Sequence, residues 1–250
     1  MDKQYYREYF TLEREHWWFR ARSEILMSHL RDLVKEKPAL RILNVGAATG
    51  RSSELLGEMG KVTSIEYDGD CCEFTHSNTG LELTRASITA LPFRDAGFDL
   101  VCAFDVIEHV DDDATAVAEL TRVCAPGGLV CVTVPAFMFL WSHHDDVNHH
   151  CRRYTRKGLR GVLQRAQLRS VFQSYFNFWL FFPIATYRLV EGLRKPAKRE
   201  DAGSDFFAMR NGLLDRVLYF ILRTERVLLG AGLRLPVGVS ILSTWRKEAR

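Results

Sequence analysis

The segment that decides the fold is residues 41–50, which read RILNVGAATG. A short apolar run ends at a glycine, and a helical pattern follows from Ser52 to Met59, so the segment predicts a strand, a glycine turn and a helix. Gly46 and Gly50 permit a tight turn and a close approach of the backbone to a ligand. In open α/β sheets, ligands bind beside such turns, at the carboxyl ends of the strands.

Further strands and helices alternate along the chain. Short apolar runs predict strands at 61–66, 81–86, 98–104, 129–134, 168–178 and 239–246. Helical patterns lie between most of them, and this alternation predicts an α/β fold with a doubly wound sheet of seven strands. The tripeptide Pro126-Gly127-Gly128 predicts a turn before the fifth strand.

The chain divides into four predicted parts. Helical periodicity over residues 3–34 predicts an N-terminal helical cap. Before the last strand, two helical patterns at 180–193 and 212–229 form an insert, joined by the charged linker 194–205. The predicted boundaries are 1–38 for the cap, 39–178 for the core, 179–235 for the insert and 236–250 for the last core strand and tail.

Composition places the chain among folded globular proteins. Its 250 residues are 47% hydrophobic and 26% charged, which excludes a disordered or fibrous protein. The start, MDKQYYREYF, has no apolar run of the length that a signal peptide or membrane span needs. Six cysteines include no C-x-x-C pair, so we expect structural thiols in the cytoplasm and no metal framework.

Charge is distributed unevenly along the chain. Residues 1–150 hold 14 Lys/Arg against 24 Asp/Glu, a net charge of −10, whereas residues 151–250 hold 20 against 7, a net charge of +13. The last part therefore faces either an anionic partner or solvent. Phosphorylated substrates, anionic lipid and nucleic acid are the anionic alternatives.

An acidic residue indicates which kind of ligand binds at the end of the first strand. Glu66 ends the second strand about twenty residues after Gly46, where a carboxylate accepts hydrogen bonds from ribose hydroxyls. This predicts a cofactor that contains adenosine. The spacing Gly46-x-x-x-Gly50 departs from the G-x-G-x-x-G pattern of dinucleotide sites, which disfavours NAD.

Three further segments follow later strands: ITALPF at 88–93, DVIEHV at 105–110 and APGG at 125–128. With the glycine turn, their order and spacing over residues 40–135 closely resemble the class I S-adenosylmethionine-dependent methyltransferases, which have a Rossmann-like sheet. The segment HWWFRAR at 16–22 is similar to a subgroup of bacterial methyltransferases often found with glycan or lipid biosynthesis genes.

The resemblance implies S-adenosylmethionine as the cofactor and a site of nine residues. The implied contacts are the methionine end for Gly46, Ala48 and Gly50, the ribose for Glu66, the adenine for Tyr67, Ser87 and Ile88, and the sulfonium end for Phe104 and Asp105.

Three positions depart from the family's pattern. Asn44 replaces its usual acidic residue, and Ser87 stands where an aspartate often meets the adenine. Ala48 replaces the middle glycine, and its methyl group is harmless if φ is negative but costly if φ is positive.

The loop after the fifth strand is the implied acceptor site. It is dense in His, Asp and Arg, and the residues expected to bind the acceptor are Trp141, Asp145, Arg152, Arg153 and Tyr154. Histidine suits the removal of a hydroxyl proton near pH 7, so the candidate bases are His109, His149 and His150. The alternatives are structural hydrogen bonds for the histidines and salt bridges for the arginines.

One spacing also bears on metals. Asp105, Glu108 and His109 fall on one face of a helical turn, and residues 143–150 are also rich in metal-ligand types. Some O-methyltransferases and small-RNA methyltransferases that this sequence resembles hold a divalent ion with such a set, but the same pattern is common in metal-free relatives. We therefore assign no metal from the sequence.

The predicted activity is methyl transfer to a small-molecule or lipid-linked acceptor, at oxygen. The aromatic run 175–184 is too short to span a membrane, and with the basic residues Arg194, Lys195, Lys198 and Arg199 it would rest on the inner face of an anionic bilayer. A lid or a homodimer face is the alternative use of this surface.

Two other functions stay open. One is RNA methylation, although no RNA-binding module is evident and no nucleic-acid partner is expected. The other is a non-catalytic module at a membrane surface or in a complex, with a vestigial cofactor pocket.

Overall fold

The structure, a computed structural model, describes residues 3–35, 39–192 and 212–248. The predicted linker 194–205, with its four basic residues, lies outside the described residues, as does the end of the predicted cap at 36–38.

Seven strands form one mixed sheet, as predicted. They are β1 (Leu40–Val45), β2 (Gly60–Glu66), β3 (Leu83–Arg85), β4 (Phe98–Phe104), β5 (Cys124–Pro135), β6 (Leu168–Phe176) and β7 (Ser240–Lys247). Their order is β3-β2-β1-β4-β5-β7-β6, with parallel pairing up to β5 and an antiparallel β7 between β5 and β6. The strand order reverses between β1 and β4.

Helices cover both faces of the sheet. They are α1 (Lys3–Glu15), α2 (Trp17–Val34), α3 (Arg51–Leu56), α4 (Gly69–Thr79), α5 (Asp113–Val123), α6 (His143–Val147), α7 (Arg156–Arg165), α8 (Phe178–Gly192) and α9 (Gly212–Gly230). Single turns of 3₁₀ helix lie at Ile107–His109 and Met138–Leu140.

The core has two layers because the central strands are apolar on both faces, as in other buried parallel strands. On one face, Val101 and Val132 pack with residues of α5 and α7. On the other face, Leu100 and Cys131 pack with residues of α2, α3 and α9. The resemblance to a doubly wound Rossmann-like sheet is confirmed.

Three local features differ from the sequence prediction. The N-terminal helical pattern breaks at His16, whose Nδ1 accepts a hydrogen bond from Trp18 N at 3.3 Å and so caps a second helix. The turn predicted at 126–128 lies inside β5, where the pairing with β4 shifts register. The acceptor loop contains the short helix α6, which begins at Ser142 with a capping box closed by Asp145.

The helical insert packs against the N-terminal cap. Leu222 and Leu229 of α9 share a cluster with Ile25 of α2, and Arg223 Nε lies 2.8 Å from Glu24 Oε2. Glu225 of α9 also contacts α8 within the insert. Its Oε1 accepts a hydrogen bond from Trp179 N, in the first turn of α8, at 3.3 Å. The division of the chain at residues 38, 178 and 235 stays a prediction.

Candidate active site

A cavity of about 670 Å³ lies at the carboxyl ends of β1, β2 and β4, where the strand order reverses. This is the position at which open α/β sheets bind ligands, and the volume is that of a small-molecule site. Helices α1 and α2 contribute part of the lining through Tyr5, Tyr9, Glu13, Phe19 and Arg22. The cap therefore forms one wall of the site.

The glycine turn brings main chain to the cavity. Gly46 has φ +72°, and a Cβ there would lie 2.5 Å from Val106 Cγ2, so the position excludes any side chain on two grounds. Ala48 also lines the cavity. Its φ of +45° is positive, which is the conformation in which its methyl group is costly. Its methyl group costs about 1–2 kcal/mol in this conformation. Gly50 starts α3 behind the cavity lining.

Glu66 lies at the end of β2 with both carboxylate oxygens oriented by main chain. Its Oε2 accepts a hydrogen bond from Ala48 N at 3.0 Å, and its Oε1 accepts from Tyr67 N at 2.7 Å and Asp68 N at 3.1 Å. A carboxylate offers about four acceptor positions, so these bonds leave room for a hydroxyl donor. The arrangement fits the predicted contact with a ribose.

The adenine end of the expected site is also in place. Tyr67, which is 73% exposed, lines the cavity together with the buried Ile88 and with Ser87, whose hydroxyl is 2.8 Å from Thr89 Oγ1. Asn44 lies beneath the turn, outside the cavity lining, and donates to Ser52 Oγ and Ser53 Oγ at 2.8 Å each. The amide of Asn44, which replaces the family's acidic residue, therefore helps to pack α3 on β1.

At the opposite end, Asp105 follows β4 with φ +54° and its carboxylate is held on both sides. Arg22 Nη2 donates to Asp105 Oδ2 at 2.6 Å, and Thr133 Oγ1 donates to Asp105 Oδ1 at 2.9 Å. The Nε of Arg22 is buried without a hydrogen-bond partner among the described residues. A carboxylate ligand in the cavity would instead meet the part of Arg22 that lines it.

These features together fit S-adenosylmethionine. The site offers acceptors for a ribose at Glu66, an aromatic and an aliphatic side chain for adenine, and the cationic side chain of Arg22 at the cavity wall for the amino-acid carboxylate of the cofactor. Of the nine predicted cofactor residues, Gly50 is the one outside the cavity lining. The assignment of each residue to its part of the cofactor stays a prediction.

The three candidate histidines occupy different places. His109 and His149 line the cavity, whereas His150 lies behind it with its ring centroid 4.6 Å from that of His109. Burial, together with the neighbouring His150, lowers the pKa of His109 to about 4. Both His109 and His149 are exposed residues that line the cavity, but the lowered pKa leaves His109 neutral at pH 7 and a weak base.

The predicted acceptor residues form a bonded network that holds their loop. Arg153 donates through Nε and Nη2 to the two oxygens of Asp145, at 2.8 Å each. Although burial acts to raise the pKa of Asp145, bonds from His150 and Arg153 hold it well below its usual value. Tyr154 donates to Asp113 at 2.8 Å, Arg152 to the Asp111 carbonyl at 2.8 Å, and Trp141 to Asp146 at 2.8 Å. These residues lie outside the cavity lining, and acceptor binding by them stays a prediction.

Sequence reasoning assigned no site role to the cap residues that line the cavity. Burial raises the pKa of Glu13 to about 7, even though Thr49 donates a hydrogen bond to it. Arg22 belongs to the segment HWWFRAR, in which His16 starts the helix and Phe19 and Arg22, one turn apart, both reach the cavity. The spacing of Phe19 and Arg22 on one face of α2 was the feature of the sequence that could have indicated their place at the cavity.

Comparison with known proteins agrees with this geometry. Residues 43–132 match the family model described as a methyltransferase domain. A probable S-adenosylmethionine-dependent methyltransferase of Mycolicibacterium smegmatis is 29% identical over 126 residues, covering 50% of this chain and 48% of the relative. A probable tRNA methyltransferase 9B of Mus musculus is 26% identical over 178 residues, covering 61% of this chain and 38% of the relative.

The fold has a close match among solved structures. The PH0226 protein of Pyrococcus horikoshii superimposes with a TM-score of 0.62 at 13% identity, covering 99% of this chain and 100% of that one. The chain spans about half or less of the length of the curated relatives described above.

The sequence match and the relatives define the class of the matched domain. Residues 43–132 form a methyltransferase domain, and its relatives support the class I S-adenosylmethionine-dependent kind with S-adenosylmethionine as the cofactor.

Proposed function

We propose that the chain transfers the methyl group of S-adenosylmethionine to an oxygen atom of a small-molecule or lipid-linked acceptor. The observation that carries the proposal is the cavity at the reversal of strand order. There Glu66 presents its carboxylate at one end, and the Arg22–Asp105 pair holds the other. When bound, S-adenosylmethionine supplies an electrophilic methyl group, and the chain must orient the two reactants.

The histidines at the cavity support oxygen as the target atom. A hydroxyl acceptor must lose its proton as the new bond forms, and a histidine suits this task near pH 7. His149 is the proposed base because its ring is exposed and lines the cavity. His109 also lines the cavity and is exposed, but its lowered pKa makes it the weaker base.

The lipid-linked alternative rests on the surface of the insert. Helices α8 and α9 expose large apolar side chains, among them Trp179, Phe182, Tyr187, Leu213, Val217 and Phe220. Arg216 is exposed on the same helix as Phe220. Within the described residues, no helix is both long and apolar enough to cross a membrane. An apolar surface with arginines supports contact with an anionic membrane surface.

RNA is the second candidate acceptor. One relative is described as a probable tRNA methyltransferase, and residues 151–250 carry a net charge of +13. A basic surface of this kind favours a polyanion, with binding that weakens steeply with salt.

A transfer assay with a tritiated methyl donor separates these acceptors. The protein would be incubated with labelled S-adenosylmethionine and, separately, with a polar metabolite extract, a lipid extract and total RNA. We expect label in the metabolite or lipid fraction, and we expect loss of that label with His149→Ala while S-adenosylhomocysteine still binds. Nuclease-sensitive label in the RNA fraction alone would assign the second candidate.

A further inference from the structure

Three potential metal ligands meet at the cavity wall. Glu108 and His109 lie on the 3₁₀ turn that follows β4, and His150 comes from the segment after α6. One ligand atom from each residue lies within 4.8 Å of the others. The two segments are joined by main chain, because Cys151 N donates to the Glu108 carbonyl at 2.7 Å.

The carboxylate of this group is fully buried. Glu108 has 0% exposure, and both of its carboxylate oxygens lack a hydrogen-bond partner among the described residues. A buried carboxyl group without partners is costly, and buried charges are ordinarily paired or bound to metals. A bound cation would satisfy both oxygens.

His150 is already oriented as a metal ligand would be. Its Nδ1 lies 2.8 Å from Asp145 Oδ1, which leaves Nε2 as the nitrogen free for another partner. Asp145 is in turn held by the bidentate contact with Arg153. Histidines that bind metals usually donate their second ring nitrogen to a carboxylate or carbonyl group, which fixes the tautomer.

We propose that Glu108, His109 and His150 bind a divalent transition-metal ion of the zinc class. Two imidazoles and one carboxylate match the nitrogen and oxygen ligands that Zn²⁺ accepts, and three protein ligands leave a fourth position open. His109 also lines the cavity, so the ion would lie at its wall. Asp105, the third member of the set seen in the sequence, instead pairs with Arg22.

This proposal is tested by metal binding alone, independently of methyl transfer. Protein free of any purification tag would be treated with a chelator and titrated with Zn²⁺ in a calorimeter, with Mg²⁺ as the oxygen-preferring control. We expect one equivalent of Zn²⁺ to bind and Mg²⁺ not to compete. Co²⁺ would report the ligands, because thiolates give a charge-transfer band that nitrogen and oxygen ligands lack.

The variants are chosen to keep the fold. Glu108→Gln and His150→Ala should lose the bound Zn²⁺, while His143→Ala, at an exposed histidine of α6, should bind as the wild type does. Asp145→Asn should weaken binding by about 10-fold or more. Thermal unfolding without metal would show which variants are folded.

Several outcomes would overturn the proposal. They are wild-type protein that binds no Zn²⁺, a thiolate band with Co²⁺, and unchanged binding by folded Glu108→Gln and His150→Ala. The last two would place the ion elsewhere, such as at the free cysteines.

Discussion

Arg22 of α2 reaches Asp105 at the end of β4, with Nη2 to Oδ2 at 2.6 Å, and joins positions 83 residues apart in the chain. The same Nη2 lies 2.9 Å from Thr133 Oγ1, so one guanidinium links the cap to two strands. The side chain of Arg22 is 11% exposed. The cap therefore lines the cavity as well as covering the sheet.

Replacing Arg22 with alanine should weaken both the site and the fold. Arg22→Ala removes the ion pair to Asp105 and a cationic side chain from the cavity lining, so we expect weaker binding of S-adenosylhomocysteine. We also expect a loss of about 1–2 kcal/mol in the free energy of unfolding, the usual contribution of a partly exposed charged hydrogen bond. Calorimetric titration and urea unfolding measure the two effects.

Arg31 provides a matched control on the same helix. It pairs with Glu58, but both side chains are about half exposed, so Arg31→Ala should change the free energy of unfolding by about 0.5 kcal/mol or less. Equal effects of the two substitutions on cofactor affinity would contradict a specific role for Arg22.

Ala48→Gly should remove a backbone strain at the cofactor turn. Ala48 has φ +45°, and glycine adopts such a conformation at little cost, although it also gains freedom in the unfolded chain. We expect a net gain of about 0.5–1 kcal/mol in the free energy of unfolding, with S-adenosylhomocysteine affinity kept or improved. Ala96→Gly, at φ +57° in a loop outside the cavity lining, should raise stability without changing that affinity. A destabilised Ala48→Gly variant would show that the methyl group makes a compensating contact.

Glu225 should make stability depend on pH. Burial raises its pKa to about 7 from 4.5, despite hydrogen bonds from the main chain at the start of α8. A folded-state pKa above the unfolded value means that the stabilising contribution is complete below pH 4.5 and is lost as pH rises through about 7. Glu225→Gln mimics the protonated form, so its stability relative to the wild type should rise by about 3 kcal/mol between pH 4.5 and pH 8.

Urea unfolding at several pH values measures this difference. Glu119→Gln is a control of opposite sign, because the hydrogen bond from Arg122 lowers the pKa of Glu119. Its wild-type contribution is present above the unfolded pKa and is lost as pH falls. If the difference in free energy of unfolding between Glu225→Gln and the wild type did not change with pH, the raised pKa of Glu225 would be contradicted.

Much of the fold was predictable because the deciding signals are local. The apolar runs at β1, β4 and β7 mark buried strands, and the spacing from Gly46 to Glu66 places a turn and a carboxylate at adjacent strand ends. The break at His16 was harder to predict, since the flanking residues continue a helical pattern and one capping hydrogen bond decides the matter.

The site was predictable only where it follows strand ends. Gly46, Glu66 and Asp105 are of this kind. Pairing of Arg22 with Asp105, or the meeting of His150 with Glu108, depends on how distant segments pack, and no periodicity encodes it. The sequence likewise does not encode the hydrogen bond between Arg153 and Asp145. Both loop residues were therefore predicted to bind the acceptor.

The insert should bind anionic membranes through its exposed apolar side chains. Phe182 and Phe220 are 53% and 59% exposed, so Phe182→Asp and Phe220→Asp should lower co-flotation with phosphatidylglycerol vesicles. Val147→Asp, at a residue 50% exposed on α6, is the control and should float as the wild type does. Concentration-dependent dimers in sedimentation equilibrium, with no vesicle binding, would assign this face to a second copy of the chain.

The central claim is that the cavity between β1 and β4 holds S-adenosylmethionine with Glu66 on the ribose. The most direct test is calorimetric titration of wild-type protein and Glu66→Gln with S-adenosylhomocysteine, with NAD as the parallel ligand. We expect S-adenosylhomocysteine alone to bind, with affinity weakened by about 10-fold or more in Glu66→Gln through loss of a charged acceptor. Binding of neither ligand, or unchanged affinity in a folded Glu66→Gln variant, would contradict it.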